Sequence, residues 1–152
     1  MDSNMDDLLL ERQLCFALSV ASRAVVGAYR PVLSALGLTH PQYLVMLALW
    51  EQSPRTVKDI SAALMLEPAT LSPLLKRLEA AGMLVRRRSV ADERALDVDL
   101  TDHGRALYRQ ALAVPGTMME RLGLNRAQAQ ALHGSMMELI ASAANAPDAA
   151  GR

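Results

Sequence analysis

Between Thr56 and Leu100, two short helical patterns stand either side of a proline-marked break, and two strand patterns follow them. Thr56 suits an N-cap for a helix over Val57–Met65, with Val57, Ile60, Ala63 and Leu64 on one face. Glu67-Pro68 opens a second helix, which runs to Ala81 and stops at Gly82, with Leu71, Leu74, Leu75 and Leu78 as its apolar stripe. Leu84–Ser89 and Leu96–Leu100 read as strands, and the second alternates apolar and acidic residues at the period of a pleated strand. Asp92, Glu93 and Arg94 lie between them and suit an exposed tip. Helix, turn, helix and hairpin in that order make a winged helix-turn-helix, whose second helix fits the major groove of DNA and whose hairpin fits the flanking groove or backbone.

The rest of the chain is helical in pattern. Of its 152 residues 51% are hydrophobic and 3% aromatic, which favours helix packing around one core over a β-sandwich. The expected fold is mainly α with a small β-hairpin, in one domain over residues 1–152. A long helix capped by Asp6 or Asp7 runs to about Tyr29, where Arg30-Pro31 interrupts it; a short helix follows to Leu36 and ends at Gly37. Thr39-His40-Pro41 caps a helix over Gln42–Glu51 that is apolar on nearly every side, as central helices are. Ser53-Pro54 then breaks the chain. Thr101 or Asp102 caps a helix through Ala113, Pro115-Gly116 bends or ends it, and Asn125 caps the last helix. The tail from Asn145 to Arg152 is expected to fray. The outer helices, about 7–36 and 102–144, carry broad apolar faces that the winged helix, about 41–101, does not use. Pairing with the same helices of a second copy would cover them, so a homodimer reading two half-sites of a near-palindromic operator is expected.

Thr70, Ser72, Lys76 and Arg77 lie largely off the leucine stripe, where hydroxyls and cations meet phosphates and base edges. Arg94 is the candidate for a narrow minor groove, with Asp92 two residues earlier to hold it by a charge-assisted bond. Arg86, Arg87 and Arg88 alternate across a strand, so only some can face DNA. One or two of them contact phosphate, Arg87 being the candidate, or anchor the hairpin to Asp97 and Asp99. The net charge is zero, which makes this local excess of cations matter more than the total. Each of these side chains, taken alone, also reads as ordinary solvated surface.

Cys15 is the only cysteine, so an intrachain disulfide framework is excluded and most zinc sites with it; no cofactor or metal is expected. A single thiol suits a reducing compartment. The acidic start lacks the basic segment of a signal peptide, and no apolar run reaches the length of a membrane span, so the expected location is cytoplasmic. Cys15, Ser19, Ser22, Val26 and Tyr29 lie on one helical stripe. Cys15 and Tyr29 stand about 21 Å apart along a straight helix. They meet only if the first helices of two subunits pair antiparallel near Ser22. Cys15 then reads either as an inert core residue or as a thiolate held by hydroxyl or imidazole donors, with Tyr29, His40 and Tyr43 the available ones. The expected helix starts far enough back that its macrodipole gives Cys15 little help.

The run Leu10-Glu11-Arg12-Gln13-Leu14-Cys15-Phe16-Ala17-Leu18 resembles the N-terminal signature of organic-hydroperoxide sensors in the MarR family of winged-helix regulators. Tyr29-Arg30-Pro31, Pro41-Gln42-Tyr43-Leu44, Leu71 through Glu79, Arg87 through Arg94 and Pro115-Gly116-Thr117 are similar too, so the resemblance spans about residues 9–139. It implies a homodimeric repressor, double-stranded DNA as partner, a redox-sensing Cys15 oxidised by an organic hydroperoxide, and a mixed disulfide with a small thiol. It implies hydroxyl donors at Tyr29 and near the Thr39-His40-Pro41 turn. His40 stands where such sensors often carry tyrosine, and Ser19 where some carry an aromatic hydroxyl; an imidazole there would make reactivity sensitive to pH. Two alternatives remain: a MarR-like repressor released by a small phenolic or lipophilic ligand with Cys15 inert, and a thiol peroxidase.

Overall fold

The computed structural model describes residues 7–147, which form two compact units divided between Val114 and Pro115. The acidic start with the Asp6 cap, and the tail beyond residue 147, lie outside the described residues.

In the first unit, a 3-10 turn (Leu10–Arg12) precedes α1 (Leu14–Ser34), and α2 spans His40–Glu51. The strand β1 (Arg55–Thr56), helices α3 (Val57–Leu64) and α4 (Pro68–Ala80), strands β2 (Leu84–Arg88) and β3 (Leu96–Leu100) and helix α5 (Asp102–Ala111) follow. The cap residues read from the sequence act as such. Thr39 makes a reciprocal capping box with Gln42, and Thr56 and Thr101 accept from the backbone N–H groups of Asp59 and Gly104. Gly82, at φ 75°, takes the left-handed turn that reverses the chain from α4 into β2. The apolar helix α2 is central as expected: Val45, Met46 and Leu49 are fully buried and pack with Leu33, Ile60, Leu71, Leu75 and Leu78.

Four expectations are corrected. The first helix begins at Leu14, so Asp7 caps nothing; it lies in a turn. Pro31 lies inside α1 and does not interrupt it. The carbonyl that loses its partner to Pro31 belongs to Gly27, which is exposed to solvent, and Leu33 anchors the last turn in the core. The helix from Thr101 does not reach Pro115-Gly116. Helix α5 ends at Ala111, and a separate helix α6 (Val114–Leu122) carries Pro115 in its first turn, where a missing N–H costs nothing. The sheet has three strands, in the order β1-β3-β2, all antiparallel; Arg55 and Thr56 pair with Val98 and Asp97.

The second unit holds α6 from Pro115 onward and α7 (Arg126–Ala144), capped by Asn125 through a box with Gln128. Helix α7 buries none of its residues, and Leu132, Met136, Met137 and Ile140 are exposed. Helix α1 buries only Leu33. Among the described residues, no helix is long and apolar enough to cross a membrane.

Candidate nucleic-acid interface and thiol site

Helix α4 divides as its sequence pattern predicts. Leu71, Leu74, Leu75 and Leu78 are buried; Thr70, Lys76 and Arg77 are exposed, and Ser72 is half-buried. A helix held by four leucines on one side offers polar side chains on the other without moving its backbone.

The hairpin is set against that helix by one residue that sequence reasoning missed. Both carboxylate oxygens of Glu79 are used: Oε2 accepts from the Arg86 backbone N–H at 3.0 Å and from its Nε at 3.4 Å, and Oε1 accepts from its guanidinium at 3.1 Å. These bonds to Arg86 hold the Glu79 carboxyl below its ordinary range. The ladder explains the choice. Arg86 stands opposite Val98, which is fully buried, so both side chains leave the sheet on the helix side. Arg87 stands opposite Asp97 on the outer side and is exposed, as is Arg88. Anchoring of wing arginines to Asp99 is not found: Asp99 takes Arg105 of α5 at 3.0 Å.

Arg94 is exposed at the wing tip. Asp92 acts on the backbone rather than through the expected charge-assisted bond to the guanidinium: its Oδ1 accepts from the Arg94 N–H at 3.0 Å, which fixes the turn. Ser89 is buried and accepts from the Ala91 N–H, closing the other side of the tip. A cleft of about 460 Å³ between α3 and the wing brings Lys58 and Arg94 to one groove, together with Thr56, Ser61 and Asp92. Lys58, two residues past the Thr56 cap, gave no periodic signal by which the sequence could single it out.

The three candidate donors also come together. The Tyr29 ring lies 5.2 Å from His40 and 6.0 Å from Tyr43, centroid to centroid. The row continues through Tyr43 to Trp50 at 6.5 Å and to Tyr108 at 5.8 Å. Burial raises Tyr29 and Tyr43 above the usual phenol range, with Tyr29 adding to the rise at Tyr43, so both remain O–H donors in neutral solution. Burial lowers His40, which favours its neutral form. Cys15 is exposed, on the same helix as Tyr29 and about four turns earlier, so one chain does not place its thiol beside its own donors. Cys15 is the second residue of α1 rather than a residue deep inside it, and so lies at the helix end that favours negative groups.

The family model described as transcriptional regulator SarA/Rot matches residues 28–110. The organic hydroperoxide resistance transcriptional regulator of Bacillus subtilis is 43% identical over 126 residues, covering 83% of this chain and 84% of that protein. The chain belongs to the MarR family of winged-helix transcriptional regulators. Among solved structures of this kind, reduced AbfR bound to DNA, from a protein of Staphylococcus epidermidis, is 30% identical with a TM-score of 0.76, over 93% of this chain and 99% of that one. The repressor CouR bound to a 23-mer duplex is 27% identical with a TM-score of 0.74, over 91% and 97%. The MarR-family member described here is accordingly a DNA-binding transcriptional regulator and not an enzyme, which sets aside the thiol-peroxidase reading.

Proposed function

We propose that this regulator is a cytoplasmic, homodimeric repressor that releases a near-palindromic operator when an organic hydroperoxide oxidises Cys15. The observation that carries the reading is the assembled Tyr29–His40–Tyr43 cluster, on a chain whose only cysteine is exposed. Helices α1 and α7 support the dimer. Phe16, Val20 and Val25 on one, and Met136 and Ile140 on the other, are exposed apolar side chains that a second copy would cover. Antiparallel pairing of the two α1 helices near Ser22 brings each thiol to the partner's cluster. There the phenol O–H groups hold the thiolate and orient the peroxide.

In the reaction, the Cys15 thiolate attacks the outer peroxide oxygen and the O–O bond breaks. The sulfur is oxidised to sulfenic acid, and the departing alkoxide takes a proton to leave as an alcohol. A small cellular thiol then displaces water from the sulfenic acid and leaves a mixed disulfide. The added bulk disturbs α1 packing and moves the two reading helices off their half-site spacing. Thr70, Ser72, Lys76 and Arg77 contact the major groove, Arg87 a phosphate, and Arg94 the minor groove.

One observation favours a second reading. A cleft of about 280 Å³ between α1 and α2, lined by Val26, Arg30, Leu38, Thr39 and His40, could take a small ligand, with Cys15 inert. The test is operator release by cumene hydroperoxide from wild type and from Cys15→Ser. Redox sensing requires that the variant bind DNA and ignore the peroxide. Release from the variant equal to wild type refutes it and leaves the ligand reading.

A further inference from the structure

The hairpin is a lever with a polar side-chain fastening to the reading helix. Glu79 sits in the last turn of α4, and Arg86 is the third residue of β2. Between them the chain turns through Gly82, so the covalent link alone leaves the hairpin angle soft. The three bonds from Arg86 to Glu79 close that angle from both the backbone and the side chain of the strand. Arg86 thereby commits its guanidinium to a half-buried ion pair, which removes it from the DNA-facing set.

We infer that Glu79 is a positioning residue for DNA recognition: by clamping Arg86 it sets the distance between the α4 reading face and Arg94 at the wing tip. The inference rests on the proposed role of Arg94. Val98, opposite Arg86, stands four residues from Arg94. At roughly 3.3 Å per residue the lever is at most about 13 Å long. A hinge rotation of about 10° at its base would therefore move the tip by about 2 Å, more than a hydrogen bond tolerates. The tip itself is stiff, tied by Asp92 and Ser89 to its own backbone, so the angle at the base decides where Arg94 arrives.

The experiment is a double-mutant cycle on operator affinity, measured over a range of salt with the reduced dimer. Arg94→Ala tests the wing reading: affinity falls about tenfold and the salt slope drops by about one per subunit. Glu79→Gln lowers affinity by a similar factor. The double variant falls little further than Arg94→Ala alone, because a misplaced Arg94 and an absent one are equivalent. Arg86→Lys keeps the charge and loses the two-pronged grip, and shows the same non-additivity. Full multiplication of the two single losses, or wild-type affinity in Glu79→Gln while Arg94→Ala binds weakly, overturns the inference and leaves the wing reading intact. Wild-type affinity in Arg94→Ala overturns the wing reading and the inference together. Thermal melting of each variant separates a moved wing from an unfolded domain.

Discussion

Gly104→Ala is the substitution on which the structure speaks most directly, because two effects of opposite sign meet there. Gly104 is the third residue of α5, and alanine in a helix is favoured over glycine by about 1 kcal/mol. A Cβ at this position would lie 2.1 Å from the Met83 carbonyl oxygen, 3.1 Å from its carbon and 3.2 Å from a Leu100 methyl. Both nearest atoms are backbone, so relief requires α5 and the α4–β2 turn to separate by roughly 1 Å, an overpacking cost of about 1–3 kcal/mol. The same movement strains three bonds that meet there: Thr101 N–H to Met83 O, Gly104 N–H to Thr101 Oγ1, and Trp50 Nε1–H to Gly104 O at 2.9 Å. Losing two of them adds about 2 kcal/mol. The net expectation is a loss of about 3 kcal/mol, or roughly 10 °C in Tm for a chain of this size. Urea unfolding followed by Trp50 fluorescence, at one fixed protein concentration because any self-association shifts stability by mass action, measures it. Gly116→Ala is the control: nothing lies within 4 Å of its Cβ, so only the helical gain remains. A Gly104→Ala protein as stable as wild type would show that the α5–turn contact yields freely and that the wing is not rigidly based.

Leu33→Ala removes the one buried side chain of α1 and is expected to cost about 2–5 kcal/mol in the same unfolding assay, with a loss below 1 kcal/mol counting against the anchoring role. His40 gives a pH dependence. Burial lowers it from 6.5, so its neutral form is the one the fold favours. Its contribution is intact above 6.5 and is lost as pH falls from there toward the lowered folded value, because the unfolded chain takes up the proton first. His40→Gln should therefore flatten the stability profile between pH 7 and 5, and an unchanged slope there would refute the assignment.

Local chemistry made most of the fold legible. Thr39, Thr56, Thr101 and Asn125 each announce a helix start by offering an oxygen to unpaired N–H groups, and each does so in the structure. Pro31 misled because the penalty for proline in a helix is a local rule, while the buried Leu33 that holds the helix together beyond it is a tertiary fact. The strand β1 was invisible for a related reason: two residues carry no period, and their partners lie about forty positions away. The donors Tyr29, His40 and Tyr43 could be named by chemistry, and the packing of α1 on α2 brings them together. Glu79 could not be told from any surface glutamate at a helix end. Only the register that turns Arg86 inward gives it a partner.

That register also decides how many cations DNA can meet, which the zero net charge hides. Arg86 is committed to Glu79, Arg105 to Asp99, and the Arg55 guanidinium to the Ala48 carbonyl. Lys58, Lys76, Arg77, Arg87, Arg88 and Arg94 remain exposed on α3, α4 and the wing. Phosphate neutralisation releases counterions in proportion to the contacts made, so these six per chain set an upper bound on the salt dependence. For the two reading heads of the proposed dimer the slope of log affinity against log salt should not exceed about 11 in magnitude. It should fall well short of that, because Arg87 and Arg88 alternate across β2 and cannot both face the same surface. A measured slope steeper than that bound would mean that cations outside the winged helix touch DNA. The division of labour between outer helices and reading head would then have to be redrawn.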